Sequence, residues 1–255
     1  MKTLHALWRT GLLLLCGLQT AVAAEVRLLS AGAVEPGLRP ALAAFEKASG
    51  HVVTLSFASA PQIRERLEGD AVFDVVIAPP AILDALEKSS KIAADRWQRV
   101  VIGRVGIGVA VRPGAALPDI STAEAVKRAM LEADSVVYNR ASTGLYFETQ
   151  VKKMGLEAQL APRTTRHADG AAVMKHVLQG QGREIGFGAT TEILLLREQG
   201  LQFVGPQPAE LQNFTTYAAT STKPQPAPQA QALLRHLASP EAKAGYAAAG
   251  IDPAP

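Results

Sequence analysis

Short apolar runs alternate with longer amphipathic segments along most of this 255-residue chain. Runs rich in Val, Ile and Phe predict strands, and segments with an apolar residue every three or four positions predict helices. The predicted strands cover residues 26–29, 52–57, 73–78, 100–111, 135–138, 184–187, 201–204 and 214–220. The predicted helices cover residues 36–49, 81–88, 121–133, 144–154, 170–178, 190–199 and 227–237. Strands that alternate with helices are typical of βαβ units, so we expect an α/β fold with mainly parallel sheets flanked by helices.

One apolar run, 98–112, is about twice the length of an ordinary strand and contains Gly103, Gly106 and Gly108. We interpret it as a strand that leaves one domain, a hinge, and a strand that enters the next. Residues 213–221 are the predicted return crossing. The sequence therefore predicts two lobes joined by two crossings, with residues 25–103 and 216–255 in lobe I and residues 104–215 in lobe II.

Three segments share a further pattern, in which a strand passes through small residues into a helix. They lie at 26–50, 56–67 and 139–155, and the first helix begins near Pro36, a residue that is favoured at helix starts. The backbone N–H groups at a helix N-terminus lack partners within the helix and attract anions. Any one junction could be an ordinary βα turn, but three together predict a cleft that binds a small anion.

The N-terminal segment has the pattern of a secretory signal peptide over residues 1–24. Lys2 and Arg9 precede or flank an apolar stretch at 11–18, and small residues follow at 21–23. Cys16, the chain's single cysteine, lies inside this segment and follows Leu15, which does not suit lipoprotein processing. We expect a soluble mature protein in the periplasm. Without Lys2 and Arg9 its charge is close to neutral, which gives no electrostatic basis for binding nucleic acid.

Several motifs resemble the molybdate-binding-like branch of the type II periplasmic solute-binding proteins. They are LLSAGAVEPGLRPALAAFEKASG, VTLSFASAPQIRERLEGDAVFDVVIA, STGLYFETQVKKMGL and GREIGFGATTE, and the resemblance spans nearly the whole mature chain. It implies a two-lobed fold with a cleft between the lobes and a ligand small enough to be enclosed by helix N-termini.

The chain departs from this branch at the positions where the resemblance implies contacts to the metal oxyanion. Ala33 and Ala60 stand where molybdate binders have serines, Ala189 stands near the tyrosine position, and Gly170 near a backbone-donor position. Each ligand oxygen left without a donor costs roughly 1–3 kcal/mol. We therefore expect a ligand other than tetrahedral molybdate or tungstate.

Charged and polar residues near the predicted cleft favour a small polycarboxylate instead, because the planar guanidinium of arginine pairs well with carboxylates. Arg140 precedes the third junction, and Arg166 precedes the helix at 170, with Arg163 as a competing candidate for the second position. The predicted substrate-binding residues are Ser30, Ser59, Arg140, Ser142, Thr143 and Arg166.

The sequence also offers two candidates for a residue that transfers a proton. His167 lies in a predicted loop beside Arg166, and an imidazole titrates near neutral pH. Tyr146 is the second candidate. A loop histidine without chemistry is the alternative for His167. We find no spacing that suggests a metal site and expect no cofactor.

Two functions follow from the resemblance. Within the branch the chain resembles the periplasmic aconitate isomerases, which implies interconversion of trans- and cis-aconitate by an allylic proton shift. The alternative is a non-catalytic solute receptor of an ABC transporter, with an ABC permease as its partner, for molybdate or a small tricarboxylate anion. Receptors of this kind are usually monomers, and we expect a monomer here.

Overall fold

The computed structural model describes residues 23–92 and 99–254. The predicted signal peptide, with Lys2, Arg9 and Cys16, therefore lies almost wholly outside the described residues. Within those two ranges no helix has the length and apolar character needed to span a membrane.

The strands form one continuous mixed sheet in the order β2-β1-β3-β9-β4-β7-β5-β6, and β8 pairs with β4. Their bounds are β1 Glu25–Ala31, β2 Val52–Ala58, β3 Val75–Ala78, β4 Val100–Val111, β5 Ser135–Asn139, β6 Thr164–His167, β7 Glu184–Ala189, β8 Gln202–Pro206 and β9 Phe214–Ser221. We use "first half" for β1, β2, β3 and β9 with the helices packed on them, and "second half" for β5, β6, β7 and β8 with theirs.

The helices follow the strands as the alternating pattern predicts. Their bounds are α1 Glu35–Ser49, α2 Ala60–Glu68, α3 Pro80–Lys88, α4 Ala123–Glu132, α5 Ser142–Lys153, α6 Glu157–Leu160, α7 Gly170–Leu178, α8 Thr190–Leu195, α9 Pro228–Leu237 and α10 Pro240–Ala248. Pro36 is in the first turn of α1, and Gly50 ends that helix with a left-handed φ of 71°.

Parallel pairing occurs only inside the halves, whereas antiparallel pairing involves β4 and β9, the strands through which the halves are joined. In the first half β1 is parallel to β2 and β3, and in the second half β5 is parallel to β6 and β7. The antiparallel pairs are those of β4 with β7, β8 and β9 and of β3 with β9. The α/β fold with two lobes and two crossings is thus confirmed, with a mixed sheet where the crossings meet.

The crossing predicted at 98–112 is β4, a single strand that belongs to both halves. Its residues 100–106 pair with β9, and its residues 107–111 pair with β7. The register shifts between Val101 and Gly103. Gly103 has a φ of 149°, and a Cβ there would meet the carbonyl oxygen of Asp252 at 2.6 Å, so only glycine suits this position.

Each half has its own apolar core. In the first half Leu38, Ile63 and Leu83 from three helices are completely buried with the strand β3. In the second half the rings of Phe147 and Phe187 stack with centroids 4.1 Å apart. Separate cores agree with two lobes, and the predicted bounds, 25–103 with 216–255 and 104–215, stay a prediction.

Two local predictions need correction. Arg166 and His167 were expected in a loop but belong to β6, a four-residue edge strand that pairs with β5. The helix expected at 190–199 ends at Leu195, and a 3-10 turn follows over Arg197–Gln199.

Candidate functional site

A cavity of about 480 Å³ lies where the carboxyl ends of β1, β2, β5 and β6 meet the helices that follow them. The carboxyl ends of parallel strands are the usual place for ligands in open α/β sheets. The volume is in the range of about 300–1,000 Å³ typical of small-molecule sites. All three junctions singled out in the sequence line this cavity, and a fourth, between β6 and α7, joins them.

Two of the helix N-termini come from the first half. Ala31, Gly32 and Ala33 form the turn before α1 and line the cavity. Ser59 precedes α2, and the Oε1 atom of Gln62 accepts hydrogen bonds from the Ser59 N–H at 2.8 Å and from its hydroxyl at 2.9 Å. Both helix starts bring partial positive charge to the cavity.

The second half contributes the N-termini of α5 and α7. The Asn139 side-chain oxygen accepts hydrogen bonds from the N–H groups of Ala141 and Gly144, both at 3.0 Å. This closes the turn so that Ser142 and Thr143, the first residues of α5, line the cavity.

The start of α7 is built in a similar way. The carboxylate of Asp169 accepts a hydrogen bond from the Ala172 N–H at 2.9 Å, which fixes the first turn of the helix. Asp169 and Gly170 both line the cavity. Within residues 23–92 and 99–254, four helix N-termini, two from each half, therefore converge on one volume, which favours an anionic ligand.

Among the residues that the structure describes, five charged side chains line the cavity. The cations are Arg66 from α2 and Lys175 from α7, both exposed. The anions are Glu35, Asp169 and Glu192, all partly buried. The cavity thus offers cations and helix N-termini to a bound anion, together with carboxylates that could exchange protons with it.

Glu192, in the first turn of α8, is a residue that the sequence analysis missed. Its carboxylate lies against Gly170, where a Cβ would be 1.8 Å from Oε2, and 3.4 Å from where a Cβ at Gly32 would be. Burial raises the pKa of Glu192 to about 7, with further upward contributions from the negative charges of Asp169 and Glu35. The available signal was its place in GATTE, just after the carboxyl end of a predicted strand.

Three of the predicted substrate-binding residues lie in the cavity lining: Ser59, Ser142 and Thr143. Ser59 and Thr143 are buried apart from a small exposed fraction. All three residues thus line the cavity, and their roles as substrate-binding residues stay predictions.

Three other predicted residues lie outside the lining. Ser30 is completely buried in β1, and its hydroxyl donates to the neighbouring carbonyl of Ala31 at 3.1 Å. Arg140 is exposed, but the residues on either side of it line the cavity, so it lies at the rim. Tyr146 is partly buried in α5, one turn beyond the residues that line the cavity.

The Arg166 side chain makes its contacts outside the cavity. Its guanidinium pairs with Glu148 of α5, with Nη2 and Oε2 3.1 Å apart, and lies 5.4 Å from the ring centroid of Tyr138. The competing candidate, Arg163, donates to the carbonyl of Leu131 at 2.7 Å. Neither side chain lines the cavity.

His167 ends β6 and also lies outside the cavity lining. Its Nε2 atom is buried without a hydrogen-bond partner within the described residues, and its ring centroid is 5.0 Å from that of His176. Burial lowers the pKa of His167, His176 lowers it further, and Asp169 opposes both. The lowered pKa favours the neutral form of the imidazole, and the role of His167 as the proton-transfer group stays a prediction.

Three of the four positions that the resemblance assigned to oxyanion contacts do line the cavity: Ala33, Ala60 and Gly170. Ala189 is buried just before α8. Ala33 and Ala60 carry methyl groups and Gly170 has no side chain, so these three positions offer no hydroxyl donor to a ligand.

The fold is that of the two-lobed periplasmic solute-binding proteins. The family model described as "bacterial extracellular solute-binding protein" matches residues 26–252, and the chain belongs to this family. The expected resemblance to the type II branch is confirmed.

Individual proteins add detail. The chain is 32% identical over 237 residues to an aconitate isomerase from Pseudomonas sp. The alignment covers 89% of this chain and 87% of that protein. The periplasmic molybdate-binding protein of Azotobacter vinelandii has a TM-score of 0.74 at 18% identity and covers 90% of this chain and 100% of its own. The L-phospholactate-bound structure of PEB3 has a TM-score of 0.69 at 12% identity, with coverage of 90% and 100%.

Proposed function

We propose that this protein is an aconitate isomerase that interconverts trans- and cis-aconitate without a cofactor. The observation that carries the proposal is the match to an aconitate isomerase, at 32% identity, along most of both chains. The cavity supports it, because four helix N-termini and two cations face a volume suited to a small organic anion. Ala33 and Ala60 argue against a metal oxide in the same place.

The reaction needs the substrate carboxylates to be held and the carbanion-like charge to be stabilised while a proton moves. Ser142 and Thr143 supply hydroxyl groups, whereas the Ser59 hydroxyl already donates to Gln62. Arg66 and Lys175 supply positive charge within the cavity. Arg140 at the rim is the arginine best placed to join them. Arg166 would contact a substrate only after leaving Glu148.

We also propose where the protein acts and in which oligomeric state. The family of extracellular solute-binding proteins agrees with export to the periplasm by the predicted signal peptide. An isomerase of this kind would act as a monomer and would need no membrane partner.

Purified protein incubated with trans-aconitate at pH 6–9 tests the activity, with cis-aconitate followed by chromatography. We expect conversion that falls at least ~10-fold in Arg66→Ala, because a charged hydrogen-bond partner contributes about 1.5–3 kcal/mol. Arg197→Ala, an exposed cation outside the cavity, is the matched control. Absence of conversion throughout this pH range would refute the proposal.

A second candidate function is that of a receptor that delivers molybdate or a small organic anion to an ABC permease. It is favoured by the structural match to the Azotobacter vinelandii molybdate-binding protein. The two functions separate cleanly in one assay. A receptor binds its anion and returns it unchanged, whereas an isomerase releases the other isomer.

A further inference from the structure

We infer that Glu192 is the residue that transfers the proton in the proposed isomerisation, in place of His167 or Tyr146. The inference rests on the proposed function and names the group that does its chemistry. It starts from the position of the Glu192 carboxylate, which lies in the cavity between the N-terminus of α7 in one half and the turn before α1 in the other.

Two glycines leave the space that the Glu192 carboxylate occupies. Gly170 has no side chain, and even a methyl group there would overlap Oε2 at 1.8 Å. Gly32 is on the opposite side, 3.4 Å from Oε1 when measured from the site of a Cβ. The next residue back, Thr191, donates to the carbonyl of Ala33 at 2.6 Å and ties α8 to the first half.

Burial and the groups that face Glu192 shift its pKa close to neutral pH. These groups are Asp169 from the start of α7, Glu35 from α1, Tyr217 from β9 and the N–H of Ala189 before α8. Burial, Asp169 and Glu35 raise the pKa of Glu192, and the Ala189 N–H lowers it, so that it lies at about 7. A general acid or base works best when its pKa is near the working pH.

The other titratable groups near the cavity are less suited to the task. Asp169 is engaged in capping α7, and the Glu35 carboxylate pairs with Arg39, with Oε1 and Nε 2.6 Å apart. Burial and the charge of Glu192 raise the pKa of Tyr217, which makes its phenol a weak acid. His167 lies outside the cavity lining.

The proton shift is complete with this one group. The Glu192 carboxylate takes a proton from the methylene carbon of trans-aconitate, and the electron pair of that C–H bond forms a new C=C bond to the central carbon. The electron pair of the old C=C bond moves to its far carbon. That carbon takes the proton from the Glu192 carboxylic acid, so the carboxylate is restored and no proton, electron or water is consumed.

Turnover and binding of trans-aconitate by the wild-type chain, Glu192→Gln and Glu198→Gln test this role. Glutamine keeps the shape of glutamate and cannot exchange the proton. Glu198 is an exposed carboxylate six residues further on, outside the cavity. We expect kcat to fall about 10²–10⁴-fold in Glu192→Gln and to stay unchanged in Glu198→Gln. Thermal shifts with trans-aconitate should persist in both variants.

Two further measurements separate proton transfer from a structural role. In D₂O the wild-type product should carry deuterium to the extent that the Glu192 carboxylic acid exchanges its proton with solvent before returning it, and in Glu192→Gln product formation and exchange into the substrate should fall together. The wild-type kcat/KM should rise with pH through about 7, and Gly170→Ala, which must displace the carboxylate without removing it, should lower kcat at least ~10-fold.

The outcomes are distinct. If the wild-type chain converts aconitate and Glu192→Gln keeps more than about a tenth of kcat, the role of Glu192 is refuted and the isomerase proposal stands. Loss of activity in His167→Gln, with Glu192→Gln active, would return the proton transfer to His167. If the wild-type chain itself does not convert aconitate, the proposed function fails and this inference fails with it.

Discussion

At the scale of single residues, Gly144 shows how a close approach to the backbone fixes the cavity wall. A Cβ at this position of α5 would be 1.9 Å from the carbonyl oxygen of Asn139, and a backbone atom cannot move aside at little cost. The same Asn139 caps α5 through its side chain. Gly144 is thus a condition for placing Ser142 and Thr143 in the cavity.

We therefore predict that Gly144→Ala lowers the free energy of unfolding by about 2 kcal/mol or more, since overpacking costs about 1–3 kcal/mol. Gly245, in α10, is the matched control, because no atom lies within 4 Å of its Cβ site. Gly245→Ala should stabilise by up to ~1 kcal/mol through helix propensity. Urea unfolding measures both, and equal effects would contradict the steric argument.

The second prediction at the scale of single residues concerns Glu192 and the pH dependence of stability, which can be measured without a substrate. Its pKa of about 7 in the folded protein lies above its ordinary value of 4.5, so the folded state binds the proton more tightly than the unfolded state. This contribution to stability is complete below about pH 4.5 and is lost as the pH rises through about 7. Glutamine at this position has no such dependence.

The unfolding free energy of the wild-type chain, minus that of Glu192→Gln, should therefore decrease from pH 5 to pH 8. Glu198→Gln should follow the wild-type chain at both pH values. Urea titrations at the two pH values decide the matter. Parallel behaviour of wild type and Glu192→Gln would show that Glu192 titrates in its ordinary range.

At the scale of elements, α8 connects the halves although it has only six residues. The Thr191 hydroxyl donates to the carbonyl of Ala33, and the Thr190 hydroxyl donates to the carbonyl of Gly106 at 3.0 Å. Because Thr191 is completely buried, water cannot replace its hydroxyl as the hydrogen-bond donor to the Ala33 carbonyl.

Thr191→Val should therefore cost about 1–3 kcal/mol of unfolding free energy, the penalty for a buried acceptor that loses its donor. Thr149→Val is the control, because the Thr149 hydroxyl donates to the carbonyl of Tyr146 in an exposed part of α5. There water replaces the lost donor, and we expect a change below about 0.5 kcal/mol. Denaturant unfolding of the two variants, compared with the wild type, gives both values.

Elements with a strong apolar period were predictable from the sequence, and those without one were not. The predicted bounds of β4 and α7 agree with the structure at both ends. β6 was missed because Thr164–His167 has no alternation: all four residues are partly buried at the edge of the sheet. Its strand character comes from pairing with β5, a tertiary contact that no local pattern encodes.

The site divides in the same way. Ser59, Ser142 and Thr143 could be placed at the cavity because helix starts after strands are visible in sequence, and their roles stay predictions. Arg166 was misplaced because its partner, Glu148, lies 18 positions away on α5 and is opposed to it only in the fold. Glu192 was missed because its raised pKa arises from burial and from carboxylates of two other helices.

At the scale of the whole molecule, β4 and β9 make one sheet out of two separately packed halves. The cavity takes its helix N-termini from both halves, so a ligand seated there contacts both at once. An anion that binds the folded state alone must stabilise the complete molecule, because neither half can release it without opening the cavity.

The rise in Tm on adding different anions therefore shows which anion the cavity binds. At trans-aconitate concentrations of about 100 times Kd, binding stabilises the folded state by about 2.7 kcal/mol, which corresponds to a rise in Tm of about 5–10 °C for a chain of this size. Molybdate should give little or no rise, since Ala33 and Ala60 offer it no hydroxyl donors. Sodium chloride at equal ionic strength controls for screening. A larger rise with molybdate than with aconitate would contradict the assignment of the cavity to a carboxylate ligand, because the backbone N–H groups alone would then suffice for the metal oxide.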